Sequence, residues 1–227
     1  MPERAWCDPV AVIIINPNST EAMTASMLAA ARAAAPSLTF EGWTSHDGPP
    51  AIQGAEDGAA ATEPLLALVR KADAQGAEGI IIGCFDDTAL AEAARTARCP
   101  VVGIGQAAYH YCALRQWRFS VVTTLAVSVP VLEDNISAYG LAGGLGRVRA
   151  SDVPVLELEH SSDAAVAPIL HEAREAVLKD GIDAIVLGCA GMVNVTEALR
   201  RSLDVAVVDP VSAAAGCLEW LMSGRGH

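Results

Sequence analysis

The feature that most restricts the fold of this chain is a phrase that occurs twice. Residues 76–84 read GAEGIIIGC and residues 181–189 read GIDAIVLGC, so an apolar, strand-like run ends in Gly-Cys in each half. The same offset of 105 residues relates three further pairs, Glu92 and Glu197, Arg95 and Arg200, and Cys112 and Cys217. The repeat indicates duplication of an ancestral half, and it predicts two similar lobes of about 100 residues each.

Strand and helix patterns alternate along both halves. Short runs such as residues 10–15 are apolar and β-branched at nearly every position, which is typical of strands buried on both faces of a parallel sheet. The predicted strands are residues 10–15, 38–44, 79–83, 101–104, 119–123, 147–150, 184–188 and 205–208. Helical patterns between them predict right-handed crossovers. The expected fold class is therefore α/β, with two similar Rossmann-like lobes on parallel sheets, related by a pseudo-two-fold axis.

The repeat also predicts where the lobes divide and where a ligand binds. Lobe 1 is expected to comprise residues 1–104 and 205–227 and to carry Cys84, and lobe 2 residues 105–204, carrying Cys189. Ligands of such sheets bind beyond the carboxyl ends of the strands. We therefore expect one site in the cleft between the lobes, approached by the two cysteines from opposite sides.

Composition excludes several classes of function. A net charge of −12 and a pI near 4.7 disfavour binding to a phosphate backbone, so nucleic acid is not an expected partner. Apolar residues make up 52% of the chain, but no run is long enough to cross a bilayer, and residues 10–15 are too short for a signal-peptide core. We expect a cytoplasmic protein without a membrane partner. The five histidines are scattered and lie near no Cys-x-x-Cys pair, so no metal site is predicted.

Two interpretations compete for Cys84 and Cys189. A single cysteine is more often a small buried hydrophobic residue than a catalytic group. Equivalent placement of both at strand-to-helix turns favours chemistry, because a helix N-terminus stabilises a thiolate and lowers the thiol pKa from about 8.5. The other cysteines lack that setting and are interpreted as structural, namely Cys7, Cys99, Cys112 and Cys217.

The residues beside the two cysteines have alternative roles as well. Asp86 and Asp87 can cap the next helix or orient a substrate, and their charge should oppose thiolate formation at Cys84. After Cys189 the small pair Ala190-Gly191 leaves backbone donors open, so the two halves are expected to differ chemically. The polar residues at the ends of the first strand of each half, Asn18, Ser19, Thr123 and Thr124, can cap a helix or bind substrate.

A glycine motif at residues 103–108, GIGQAA, matches a relaxed dinucleotide-binding fingerprint. No acidic residue stands about twenty positions later to bind a ribose, and the repeat equivalent at residues 208–210 has no glycine. Nucleotide binding is therefore disfavoured.

Four motifs together carry a resemblance that covers residues 10–221. They are residues 16–20 (NPNST), 83–88 (GCFDDT), 121–125 (VVTTL) and 187–192 (LGCAGM). On these the chain resembles the aspartate/glutamate/hydantoin racemase superfamily, and most closely its hydantoin racemase branch, which includes allantoin racemases.

The resemblance implies a cofactor-independent isomerase that acts on a small molecule with a hydantoin-type ring. Cys84 and Cys189 match the catalytic pair, in which one thiolate removes the hydrogen at the stereocentre while the opposite thiol protonates the other face. The implied substrate-binding residues are Asn18, Ser19, Phe85, Asp86, Thr123, Thr124, Ala190 and Gly191. A homo-oligomer is expected.

Several alternatives stay open at this point. The amino-acid racemases of the superfamily place Asn-Thr after the cysteine, whereas Phe85-Asp86 and Ala190-Gly191 stand here, which favours a neutral ring over a free amino acid. Its decarboxylases retain one of the two cysteines, so the presence of both favours racemisation. The remaining alternatives are an allantoin racemase, an amino-acid racemase, a non-catalytic two-lobed binding protein, and a redox pair with Cα atoms within about 7 Å.

Overall fold

The computed structural model describes residues 12–160 and 163–223, and strands and helices alternate through both ranges. The strands are β1 Val12–Asn16, β2 Phe40–Thr44, β3 Gly79–Ile82, β4 Val101–Gly103, β5 Phe119–Thr123, β6 Leu145–Ala150, β7 Ala184–Gly188 and β8 Ala206–Val208. All eight overlap the strands predicted from the sequence, and β5 and β7 coincide with them.

The helices lie between the strands, and some begin later than their sequence patterns suggest. They are α1 Glu21–Ala34, α2 Ala55–Ala74, α3 Leu90–Thr96, α4 Ile104–Leu114, α5 Val129–Ala138, α6 Asp163–Lys179, α7 Thr196–Ser202 and α8 Pro210–Ser223. The helix expected from about Asp87 begins only at Leu90, because Asp87 and Ala89 have φ of 49° and 51°, in the left-handed region. After Cys189 the chain forms a 3₁₀ segment, Ala190–Val195, before α7 begins.

The strands form two four-stranded parallel sheets with equivalent topology. Their orders are β2-β1-β3-β4 and β6-β5-β7-β8, so each strand of the first half has its counterpart in the second. In the first sheet Ile15 pairs with Ile82, and in the second Thr123 pairs with Gly188. The α/β fold with two similar sheets, predicted from the repeat, is confirmed.

A shared apolar core joins the two sheets. Ile14 and Ile81 of the first sheet and Val121 and Val186 of the second belong to one cluster of buried side chains. Helices α1, α4 and α8 contribute five alanines to it, beside larger side chains such as Tyr109, namely Ala31, Ala107, Ala108, Ala214 and Ala215. Separate clusters cover the outer faces, with α2 and α3 on the first sheet and α6 and α7 on the second. The two sheets are therefore packed on one common core.

The predicted division into lobes at residues 104 and 205 stays a prediction. Within it, β8 pairs with β7 in the second sheet, so this strand does not belong with the first sheet as the division supposed. The following helix, α8, does pack against α1 and α4, on the side of the first sheet. In the described part of the chain no helix has the length and apolar character needed to span a membrane.

Candidate active site

The loops at the carboxyl ends of β1, β3, β5 and β7 converge on one small cavity between the two sheets. Its volume is about 30 Å³, room for about one or two water molecules. The lining residues are Asn18, Met23, Ile52, Gly83, Cys84, Phe85, Asp86, Thr123, Thr124, Ser128, Val155, Gly188, Cys189 and Ala190. Both halves of the repeat therefore contribute equivalent strand ends to the same space.

Cys84 and Cys189 both line this cavity, as the repeat suggested. The charge of Cys189 is one of the factors that raise the pKa of Cys84, so the two sulfurs are close enough to interact electrostatically. Cys84 is present as a thiol, not as a disulfide. Of the other cysteines, Cys99 and Cys112 are buried, Cys217 is half-buried, and Cys7 lies outside the described residues.

Cys84 is electrostatically disfavoured as a thiolate. Burial raises its pKa most and the charge of Asp86 raises it further, while the Thr88 hydroxyl and the Asp86 backbone N–H act in the opposite direction. Thr88 Oγ1 lies 3.5 Å from the sulfur. The prediction that a helix N-terminus stabilises the thiolate is wrong for Cys84, because the helix that follows begins only at Leu90. The expectation that the neighbouring carboxylate opposes the thiolate is confirmed for Asp86.

Cys189 is held by a close approach of β5 to β7. A Cβ atom on Gly188 would lie 2.8 Å from Thr123 Cα, so only glycine allows the strands to meet there. Thr123 Oγ1 donates a hydrogen bond of 3.0 Å to the Gly188 carbonyl oxygen. Cys189 then continues in an extended conformation, and its own carbonyl accepts a hydrogen bond from Met192 N. The hydroxyl of Thr123 is thus hydrogen-bonded to the backbone beside Cys189.

Two other hydroxyls at the cavity, those of Thr124 and Ser128, are not hydrogen-bonded to the described backbone. Thr124 and Ser128 are both buried, and neither side chain forms a hydrogen bond with the described part of the chain. Thr124 is a substrate-binding residue predicted from the sequence, whereas Ser128 is not. Both hydroxyls can donate or accept a hydrogen bond to a bound molecule.

Asn18 belongs to a buried polar network that shapes the loop after β1. Its Oδ1 accepts hydrogen bonds from Asn16 Nδ2 and Thr20 N, while its own Nδ2 lies 3.4 Å from Met23 Sδ, a weak acceptor. The amide N–H₂ is therefore available to a ligand in the cavity. Thr20 is the N-cap residue of α1, instead of Asn18 or Ser19 as expected, and Ser19 does not line the cavity.

The two aspartates after Cys84 have different roles. Asp86 lines the cavity, and its carboxylate forms no hydrogen bond or ion pair with the described residues. Burial raises the pKa of Asp86 to about 6. Asp87 points away, and its buried carboxylate accepts hydrogen bonds from Gly105 N, Gln106 N and Tyr139 Oη. Asp87 therefore caps α4, whereas the sequence predicted that it would cap α3, the helix that directly follows it.

Asp87 also explains the glycine motif at residues 103–108. A Cβ atom on Gly103 would lie 2.0 Å from Asp87 Oδ1, and one on Gly105 would lie 2.4 Å from the Phe85 carbonyl oxygen. The glycines therefore make room for the loop that carries Cys84. Burial raises the pKa of Asp87 to about 7, against the hydrogen bonds that lower it.

Six lining residues are not among the site residues predicted from the sequence, namely Met23, Ile52, Gly83, Ser128, Val155 and Gly188, although the two glycines belong to the Gly-Cys repeat. Met23 and Ser128 stand in the first turns after β1 and β5, a position that sequence reasoning could have used. Ile52 and Val155 come from irregular segments, and no local pattern marks them. Gly191, predicted as a binding residue, does not line the cavity, whereas Phe85 and Ala190 do.

Charge at the cavity is of one sign. Asp86 is the only carboxylate among the described lining residues, and no lysine, arginine or histidine is found among them. The site therefore offers thiols, hydroxyls, amides and one carboxylate. Such a set can exchange protons with a neutral ring and accept its N–H groups, but it provides no cation to balance a substrate carboxylate.

Comparison with known proteins places this architecture among the racemases. Residues 12–218 match the family model described as Asp/Glu/Hydantoin racemase. A hydantoin racemase from Rhizobium meliloti is 41% identical over 215 residues, which cover 94% of this chain and 89% of the relative. Among solved structures, an allantoin racemase from Klebsiella pneumoniae has a TM-score of 0.88 at 38% identity, covering 94% of this chain and 88% of its own. An allantoin racemase from Pseudomonas fluorescens has a TM-score of 0.89 at 32% identity, covering 94% and 91%.

Proposed function

The chain belongs to the Asp/Glu/hydantoin racemase family, and we propose that it racemises 5-substituted hydantoins by proton transfer between Cys84 and Cys189. The observation that carries this proposal is the convergence of both cysteines, from equivalent strand ends, on one cavity. Two acid–base groups on opposite faces of a planar ring are what inversion of a C–H stereocentre requires. The similarity to hydantoin and allantoin racemases supports the same substrate class.

The proposed reaction has two proton transfers and needs no redox step. The hydrogen at C5 of a hydantoin is acidified by the adjacent C4 carbonyl, so a thiolate on one face removes it and leaves an enolate. The thiol on the opposite face then delivers a proton to C5, and the two sulfurs have exchanged protonation states. The roles reverse for the other enantiomer. Each positioned acid or base contributes about 10² to 10⁴ in rate.

Donors near the two sulfurs are proposed to stabilise the enolate. The backbone N–H groups of Phe85 and Ala190 belong to loops that line the cavity, and Nδ2 of Asn18 has only the Met23 thioether as partner. Preorganised donors of this kind stabilise a developing oxyanion more than the neutral carbonyl. We propose that these donors bind the C4 oxygen of the hydantoin ring.

Asp86 supports a neutral ring as the substrate. Its carboxylate lacks a partner among the described residues and accepts N–H groups, of which a hydantoin ring has two. A free amino acid would bring its own carboxylate to a site whose described lining contains no cation, and two like charges at close range are unfavourable. The proposal therefore ranks hydantoins above amino acids.

Allantoin is the second candidate substrate. It is itself a hydantoin, with a ureido group at C5, and allantoin racemases are among the solved structures similar to this chain. Thr124 and Ser128 offer hydroxyls to a polar substituent, whereas Met23, Ile52 and Val155 offer an apolar wall. A ureido substituent at C5 would bind the hydroxyls, and an alkyl or aryl substituent would pack against the apolar wall.

Binding is expected to separate the walls of the cavity, since it has room for only about one or two water molecules. Ile52 and Val155 come from different halves of the chain and face the same space. Val155 N donates a hydrogen bond of 3.1 Å to Oε1 of Gln53, the residue next to Ile52. We propose that this contact opens when substrate enters.

Polarimetry tests the proposed function. Purified protein is incubated without added cofactor with enantiopure hydantoins that carry alkyl, aryl or ureido groups at C5, and with L- and D-aspartate and glutamate. Loss of optical rotation with a hydantoin and none with the amino acids supports the proposal. Racemisation of amino acids alone, or an unchanged rate in a Cys84→Ala, Cys189→Ala double variant, contradicts it.

The pH dependence should change when Asp86 is replaced by asparagine. The charge of Asp86 raises the pKa of Cys84, so Asp86→Asn is expected to lower that pKa. The rising limb of kcat/KM then moves to lower pH for the enantiomer that Cys84 deprotonates, and the falling limb does so for the other. Because the pKa of Asp86 is itself about 6, the difference should appear only above that pH.

The matched control is Asp152→Asn, which removes an exposed carboxylate outside the cavity lining. Its profile should follow the wild type. Superimposable profiles for Asp86→Asn and wild type would show that Asp86 has no electrostatic effect on the reacting thiol.

A further inference from the structure

We propose that Asn135 and Tyr139, on and just after α5, are positioning residues that hold the Cys84 loop from the side of the opposite sheet. This inference rests on the proposed function, because it concerns the alignment of the two cysteines. Neither residue lines the cavity, so neither can touch the substrate there. Their effect would reach the reaction only through the backbone that carries Cys84.

Two hydrogen bonds connect α5 to the loop of residues 84–89. Asn135 Nδ2 donates to the Asp86 carbonyl oxygen at 2.8 Å, and Tyr139 Oη donates to Asp87 Oδ2, also at 2.8 Å. The two side chains are four residues apart and so lie on the same face of the helix. Asp86 and Asp87, two consecutive residues of the loop, are thus both held by side chains on one face of α5 and its C-terminal end.

The loop depends on such contacts because its backbone is strained. Asp87 and Ala89 both have left-handed φ angles without being glycine, a conformation that persists only where surrounding contacts enforce it. The carboxylate of Asp87 is the central anchor. It binds two backbone N–H groups of α4, Gly105 N and Gln106 N, and the Tyr139 hydroxyl completes the set.

The same helix is connected to the other cysteine through β5. Thr123, the last residue of β5, bonds the carbonyl of Gly188, which precedes Cys189. The segment that follows β5 leads directly into α5. One continuous unit, β5 and α5, therefore contacts the backbone beside both sulfurs and sets their separation. A displacement of about 1 Å between reacting groups can cost on the order of 100-fold in rate.

Turnover of Tyr139→Phe, Asn135→Ala and the double variant tests the proposal. Tyr139→Phe keeps the ring, which packs beside Tyr109 and His110, and removes only the hydroxyl. The expected result is a fall in kcat of about ten-fold in the double variant, with KM within about two-fold of wild type. Tyr111→Phe, whose hydroxyl makes no hydrogen bond within the described residues, serves as the matched control and should retain wild-type kcat.

Exchange at C5 in D₂O distinguishes positioning from general loss of structure. For the enantiomer deprotonated by Cys189, a misplaced Cys84 should slow inversion while return of solvent deuterium to the original face continues. The ratio of exchange to inversion, followed by NMR and chiral chromatography, should therefore rise for that enantiomer only. An unchanged kcat in the double variant, or an equal change of the ratio for both enantiomers, overturns the proposal.

Alkylation of the thiols tests the positioning without turnover. Site-resolved mass spectrometry after iodoacetamide treatment should show Cys84 reacting several-fold faster in the double variant, because its loop is released, and Cys189 reacting at the wild-type rate. Equal rates at Cys84 in variant and wild type overturn the inference even if no hydantoin is a substrate. Racemisation by wild type together with such equal rates would leave the proposed function intact.

Discussion

Serine in place of either Cys84 or Cys189 is expected to lower kcat for racemisation by at least about 10³, a loss in the range for removing a positioned acid or base. A hydroxyl is a far weaker acid than a thiol, so it can neither remove the C5 hydrogen nor exchange roles with the opposite group. Each single variant should retain slow deuterium exchange for one enantiomer, through the remaining cysteine. Polarimetry measures the first effect, and NMR in D₂O the second.

The control for this experiment is Cys217→Ser. Cys217 is half-buried, lies on α8 and does not line the cavity, and in the repeat it is the counterpart of Cys112. It should racemise at a rate close to wild type. A Cys84→Ser or Cys189→Ser enzyme that keeps more than about a tenth of wild-type kcat would rule out the two-thiol mechanism.

Alanine at Gly105 is expected to lower the free energy of unfolding by about 1 to 3 kcal/mol or more, as for other overpacked sites. The new Cβ atom would lie 2.4 Å from the Phe85 carbonyl oxygen and 2.9 Å from Asp87 Oδ2. The start of α4 and the Cys84 loop must then move apart. Activity should fall together with stability, because the displaced segment adjoins Cys84. Urea unfolding followed by circular dichroism gives the first quantity.

Gly216→Ala provides the matched comparison, since Gly216 also lies in a helix, α8. No described atom outside that helix lies within 4 Å of the position that the new methyl group would take. Alanine should stabilise the protein there by about 0.5 to 1 kcal/mol, through the lower entropy of the unfolded chain and better helix propensity. Activity should not change. Equal stability of the two variants would mean that the loop around Asp87 can yield without cost.

Much of the fold could be predicted from the sequence because its signals are local or repeated. β5 and β7 are mainly apolar runs and agree with their predicted bounds to the residue. The duplication predicted two similar sheets, which have equivalent strand orders. The helix after Cys84 begins later than predicted, because Asp87 and Ala89 have left-handed angles. The carboxylate of Asp87 is held by Gly105 of α4 and by Tyr139 after α5, which lie 18 and 52 residues away in the chain.

The candidate site shows the same division between local and distant information. The convergence of Cys84 and Cys189 followed from the repeat, and the other predicted lining residues stand at or near strand ends, namely Asn18, Phe85, Asp86, Thr123, Thr124 and Ala190. Ile52 and Val155 were missed, since they reach the cavity from irregular segments. For Cys84 the sequence predicted both a stabilising helix N-terminus and an opposing carboxylate; the opposition by Asp86 is confirmed, and burial, which the sequence did not reveal, raises the pKa of Cys84 most.

The sequence by itself determined the strand and helix order, the duplication and the presence of a thiol at each equivalent strand end, since these depend on side-chain pattern along the chain. Only the tertiary structure decided which aspartate faces the cavity and which caps α4, why residues 103–105 are glycine-rich, and how α5 reaches the Cys84 loop. The physical reason is that burial, electrostatic potential and steric exclusion at a point depend on every element packed around it. A carboxylate such as Asp86 or Asp87 has its role set by those neighbours.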